Sequence, residues 1–235
     1  MLKLIKLEYK KGNITKHIRN AAIMTLVLLL FLVMTAGDAG ADLASIGFHE
    51  RSILNAAVEL YSNMSFMVFT GIMLASFIVG EYEKGTINLM FSYPINRKKI
   101  MLSKIGAVWF FNVVALILSK LFIYGILFLL IDFFHLSTND ISANDIPFCS
   151  LMFWLDMLLS SIIMISIAHI GLPLGLKAKS SKVTVVAAIL IAGFTHGNIN
   201  GYTLLRNIYY YAFLIVLTVL LLFLSIYNIE TKDVV

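Results

Sequence analysis

Apolar residues in this chain do not alternate with polar ones. They come in long runs at 21–36, 60–80, 105–131, 148–170, 183–195 and 207–229, separated by polar segments at 37–56, 81–104, 132–147 and 171–182. A bilayer core of about 30 Å is crossed by about 20 helical residues, and a single helix in lipid is apolar on every side. Barrel strands would instead be about ten residues long with alternating polarity. The pattern therefore predicts an all-α, polytopic membrane protein of about six transmembrane helices, with 1–235 as a single transmembrane domain. The run at 183–195 is the shortest and weakest. The first run ends in Ala36-Gly37-Asp38-Ala39, which loosely fits a cleaved signal sequence. The long basic segment before it favours a retained first span.

Composition agrees with that class. Sixty per cent of the residues are apolar, 13% are charged and the mean hydropathy is +0.92, whereas a soluble domain carries roughly 25% charged residues. So few charges could not clothe a water-facing surface. The net charge of +5 does not point to nucleic acid, because the basic residues sit at the ends of apolar runs. Their placement sets an orientation. With the N-terminus inside, the cytoplasmic segments 1–20, 81–104, 171–182 and 230–235 hold six, five, three and one Lys or Arg. The outer loops hold only Arg51 and Arg206, and Lys120 lies within a span. Both termini are thus expected in the cytoplasm. The single cysteine, Cys149, excludes an intrachain disulfide and a multi-cysteine metal site.

Two cytoplasmic segments carry more than charge. In residues 1–19, Lys3, Lys6 and Lys10 share one helical stripe while Leu2, Ile5 and Tyr9 share another. This predicts an interfacial helix with its cations near anionic headgroups. The segment 81–104 opens with Glu81-Tyr82-Glu83-Lys84-Gly85-Thr86. Gly85 permits a sharp turn and Thr86 can cap a short helix. Pro94 ends that helix by pushing Tyr93 out of helical geometry. The two turns between them are apolar, with Ile87, Leu89, Met90 and Phe91. Exposed apolar surface of this kind marks a partner site; the alternative is a helix tucked against its own bundle.

Glu81, Gly85-Thr86, Leu89, Pro94-Ile95 and Arg97 together resemble the loop between the second and third spans of type 2 ABC (ATP-binding cassette) exporter permeases. This family includes the small permeases of bacterial antibiotic-peptide export and immunity systems. The layout of a basic amphipathic start and six spans resembles them too. The resemblance implies a coupling helix at Gly85 to Pro94, with Glu81 and Glu83 nearby, docking on an ATPase subunit that binds ATP and Mg. It implies a homodimer or a heterodimer with a second permease, in the bacterial cytoplasmic membrane. It also implies an amphipathic substrate: a peptide antibiotic, a lipid-like molecule or a drug. Residues 193–206 have room for only a reduced form of the family's short outer re-entrant feature.

The chain itself offers no catalytic or metal site. It has no glycine-rich phosphate loop closing on Lys-Ser or Lys-Thr, and no zinc-protease or nucleophile-elbow motif. His17, His49, His135, His169 and His196 are scattered. Two charges fall inside apolar runs, where such residues are costly and have a reason to be there. Counted from the expected span ends, Lys120 and Asp156 lie at similar depths, so the two could pair between the third and fourth helices; the alternative is a substrate-facing or dimer-facing polar site. Other functions remain open at this level: an ion-coupled secondary transporter using Lys120 and Asp156, or a non-transporting sensor or assembly protein.

Overall fold

A computed structural model describes residues 2–35, 53–85, 97–134, 150–199, 202–203 and 208–227. The described residues are helical apart from short turns and one antiparallel ladder of two residue pairs. Helix α1 covers Leu2–Lys11 and α2 covers Ile14–Thr35. Asn13, at a φ of 50°, separates them. It takes the left-handed conformation that asparagine tolerates at helix ends. The first span therefore starts earlier than the apolar run suggests, and its 22 residues reach roughly 33 Å.

Helix α3, Ile53–Leu74, continues through a π-turn at Ala75–Val79 into α4, Gly80–Glu83. It starts about two turns before the run at 60–80. Helix α5, Arg97–Phe134, is unbroken for 38 residues, or roughly 57 Å, longer than a hydrocarbon core of about 30 Å, and it opens on Arg97, Lys98 and Lys99. Helix α6, Leu151–Ala168, is followed after a turn by α7, Gly171–Ala178. The segment 171–182, expected as a loop, is thus largely helical. Lys179, at a φ of 48°, ends α7, and the Ser180 amide bonds the Gly175 carbonyl at 3.2 Å. Helix α8, Ser181–His196, leads into an antiparallel pair, β1 (Asn198–Ile199) and β2 (Tyr202–Thr203), and then to α9, Ile208–Tyr227.

Among the described residues, four stretches are long and apolar enough to cross a membrane: Ile14–Met34, Asn55–Glu83, Arg97–Leu130 and Leu151–Ala178. Ser181–His196 and Tyr210–Phe223 are shorter apolar helices. Exposed Leu26, Leu30 and Met34 on α2, and Val219 and Phe223 on α9, are side chains that water would reject and lipid accepts.

Helix α3 is the hub. Phe66, Met73 and Ile78 pack with Met101, Val108 and Leu116 of α5 and Leu172 of α7. Val58 packs with Ile123 and Tyr124 of α5 and Met157 of α6. Met67 packs with Met164 and Ile167 of α6, Ala192 of α8 and Leu214 of α9. Contact between α3 and α8 is especially close: a Cβ on Gly71 would sit 2.2 Å from the Ala188 Cβ. Small residues that let backbones approach are a common means of packing helices in lipid.

Candidate functional site

The chemistry-bearing side chains gather at two levels of α5. The lower level, called the base here, is the end of the bundle where α1, α4, the start of α5 and the start of α8 are tied together. Lys104 is 1% exposed there. Its Nζ lies 2.8 Å from Glu8 Oε2 of α1 and 3.0 Å from Glu81 Oε2 of α4. It also donates to the Phe77 carbonyl of the π-turn at 3.3 Å. One cation thereby joins three elements. One turn further along α5, the Tyr9 hydroxyl donates to the Ala107 carbonyl at 2.7 Å. Burial raises the Tyr9 hydroxyl above the usual tyrosine range. The His17 and Phe77 rings, 5.1 Å apart, bring the start of α2 to the same place.

Glu83 makes the second basal tie. Its Oε2 accepts from the Ser181 amide at 3.0 Å and the Ser181 hydroxyl at 2.6 Å. Ser180, the residue before α8, makes no side-chain cap, so the carboxylate arriving from α4 takes that role. A negative charge at a helix N-terminus meets the positive end of its dipole. Gly85 follows at a φ of 68°, a region that glycine enters freely and other residues rarely. It supplies the turn expected of it. Arg97 is the first residue of α5. Thr86, Ile87, Leu89, Met90, Phe91 and Pro94, the body of the expected coupling helix, lie outside the described residues.

The upper level corrects the expected ion pair. Lys120 is fully buried, but its partner is Glu59 of α3, with Nζ to Oε2 at 2.6 Å. Lys120 also donates to Ser160 Oγ at 3.1 Å. Glu59 accepts from Ser160 at 3.0 Å and from Asn63 at 3.1 Å. Asp156, one turn before Ser160 on α6, is exposed. The pairing with Asp156 assumed that Glu59 lay outside the second span. Because α3 begins at Ile53, Glu59 sits inside the bundle and reaches Lys120 first.

Glu8, Glu59, Lys104, Ser160 and Ser181 were not singled out from sequence. Two signals were available. Glu8 is the only acid in the first 37 residues, and Lys104 immediately precedes the long run at 105–131. Among the described residues, no group of His, Cys, Asp and Glu could hold a metal ion. The His169 Nδ1 lies 2.7 Å from the Ile165 carbonyl one turn back, a local contact within its own chain segment.

Bundled apolar helices with buried ion pairs and a lipid-suited surface define a multi-pass membrane protein of the cell membrane. The family model described as "ABC-2 family transporter protein" matches residues 4–192, most of the chain. The chain belongs to that family. A relative in Bacillus subtilis (strain 168), described as "Uncharacterized protein YcbO", is 24% identical over 143 residues. That match covers 61% of this chain and 62% of the relative, so the aligned region spans less than two thirds of the relative's length. No solved structure matches.

Proposed function

We propose that this chain is the membrane-spanning permease subunit of an ATP-binding cassette exporter, with about six spans and both termini in the cytoplasm. In this reading a separate ATPase subunit binds ATP and Mg and docks on Gly85–Pro94. Two permease copies, or this chain and a homologous one, enclose the pathway. The substrate is amphipathic: a peptide antibiotic, a lipid-like molecule or a drug.

Family membership supports the class. The observation that carries the coupling assignment is the pair of carboxylates leading into that segment. Glu81 meets Lys104, and through it α1 and α5, while Glu83 holds the start of α8. A displacement of residues 85–94 would therefore be delivered to three elements at once, through contacts too short to absorb it. The apolar tip at Ile87, Leu89, Met90 and Phe91 would fill a cleft on the ATPase as the anchor of a small interface.

Leu89→Asp and Phe91→Asp test this. Either would place an unpartnered charge in that cleft, at a cost of several kcal/mol. The membrane subunit should still fold, and the ATPase should no longer co-purify at matched expression. Undiminished co-purification and transport in both variants would end the assignment. Failure of both to fold would mean that the helix packs on its own bundle. Orientation is checked separately by a cysteine at Ser180 in a Cys149→Ser background, which should resist impermeant reagents in intact cells.

A further inference from the structure

A groove of about 640 Å³ runs between α2 and α5 on the membrane-facing side. That volume is within the range of roughly 300–1,000 Å³ typical of small-molecule sites. Ala21, Ala22 and Ala115 contribute small side chains to its lining, and Phe110 and Phe122 contribute aromatic rings. The few polar groups in it are already engaged. Tyr9 donates to Ala107, and Thr25 Oγ1 lies 2.9 Å from both Ser119 Oγ and the Ala21 carbonyl. A site whose polar atoms are satisfied from within suits hydrocarbon rather than a polar solute.

Its extent and its end say which hydrocarbon. From Phe110 to Phe122 the groove follows α5 for roughly 18 Å, close to one leaflet of a 30 Å core. Its basal end is closed by Tyr9 and Ile18, and each is followed in sequence by an exposed cation, Lys10 and Arg19. Glu8, the acid beside them, is already paired with Lys104. A leaflet-long apolar groove with an exposed cation next in sequence to each of two lining residues at its basal end is complementary to a lipid with an anionic headgroup.

We propose that this groove is a binding site for an anionic membrane phospholipid, with an acyl chain along α2 and α5 and the headgroup at Lys10 and Arg19. The assignment goes beyond the transport reading and does not depend on the ATPase or the substrate. Each cation near an anionic surface contributes enough that two together predict a preference of about thirty-fold over a zwitterionic lipid. The site also gives α1 an anchor beyond its bonds to Lys104 and Ala107.

The test is tryptophan quenching in bilayer discs. With Trp109→Phe and Trp154→Phe as background, Phe110→Trp reports from the groove and Ile23→Trp reports from exposed α2 surface outside it. The probes are chain-brominated phosphatidylglycerol and chain-brominated phosphatidylcholine, each at the same mole fraction. The anionic phosphatidylglycerol should quench the Phe110→Trp reporter preferentially, and Ile23→Trp should show no preference. Lys10→Gln with Arg19→Gln should abolish the preference. Equal quenching by both lipids, or a preference that survives loss of the two cations, overturns the proposal. So does shielding from both lipids together with disulfide linking of Leu118→Cys between copies in a Cys149→Ser background, which would assign the groove to a second copy of this chain. If the tryptophan background does not fold, native mass spectrometry of the unaltered protein decides. Retention of phosphatidylglycerol over phosphatidylcholine supports the site, and equal retention rejects it.

Discussion

Lys104 and Lys120 stand sixteen residues apart on α5, roughly 24 Å along one helix. Both are almost wholly buried, both meet a glutamate at hydrogen-bond distance, and their surroundings differ. Lys120 has one carboxylate, Glu59, with Ser160 and Asn63 sharing its oxygen. That pair balances its charge and joins α3, α5 and α6, all long helices of the bundle. Lys104 meets two carboxylates, Glu8 and Glu81, carried by two different elements. Its partners come from short helices at the water-facing edge. The same residue type thus closes a one-to-one lock inside the bundle and a shared junction at its base. Only the junction adjoins the segment proposed to meet the ATPase.

The largest effect is expected at the lock. Lys120→Met leaves Glu59 charged among apolar helices, and breaking one side of a buried pair costs about 3–5 kcal/mol. Folded yield and thermal stability in detergent should collapse. Adding Glu59→Gln should restore part of the loss, because the uncompensated charge goes with it. Asp156→Asn should be nearly silent. Strictly additive effects of Lys120→Met and Glu59→Gln would show that the two residues are not coupled. A large loss for Asp156→Asn would return Asp156 to the role expected from sequence.

Lys104→Met should do less to folding and more to coupling. It removes the cation between Glu8 and Glu81, leaving two carboxylates that repel but can take up water at the edge of the bundle. Loss of a hydrogen bond to a charged group costs roughly 1.5–3 kcal/mol. Helix α1 should loosen from α5 and become sensitive to protease. In the assembled transporter, ATP hydrolysis should continue with diminished transport. Glu8→Gln, which leaves Glu81 on Lys104, should be milder. Should Lys104→Met match Lys120→Met in lost yield while leaving the ratio of transport to hydrolysis intact, the distinction between lock and junction would fail.

How much of this was legible differs by level. The apolar runs located the helices of the bundle, because in lipid the composition of a segment and its conformation are tied by the need to satisfy the backbone internally. They did not locate the ends. Helix α3 begins at Ile53, inside a stretch read as a polar outer segment, and α2 begins at Ile14, inside the stretch read as an interfacial helix. The π-turn at Ala75–Val79 left no mark in hydropathy, since its residues are as apolar as those around it. The site inherited these errors. Depth counted from a misplaced end set Lys120 against Asp156, and Glu59, one residue before the run, was left outside. Gly85 was readable because a positive φ demands a particular residue. Lys104 with Glu8 was not, because their contact spans 96 positions in the chain and depends on how α1 lies against α5.

The smallest effect on stability is expected at Glu83, where the comparison is most sharply tested. Its carboxylate is exposed, yet it receives two bonds from Ser181. In Glu83→Ala, water can replace it at the start of α8, so global unfolding should barely change. The local consequence is specific. The Ser181 amide loses a charged acceptor and the dipole of α8 its countercharge, so the first amides of α8 should exchange hydrogen faster while those of α3 keep their protection. Glu83→Gln retains an acceptor oxygen without the charge and should fall between. If Glu83 passes motion from residues 85–94 to α8, transport per ATP hydrolysed should drop in Glu83→Ala although the protein is as stable as the wild type. That combination is the reverse of Lys120→Met, where stability goes first. Unchanged exchange at the start of α8 would mean that the Glu83 cap does not form in solution, and would leave the Lys104 cluster to carry the tie between the proposed coupling segment and the bundle.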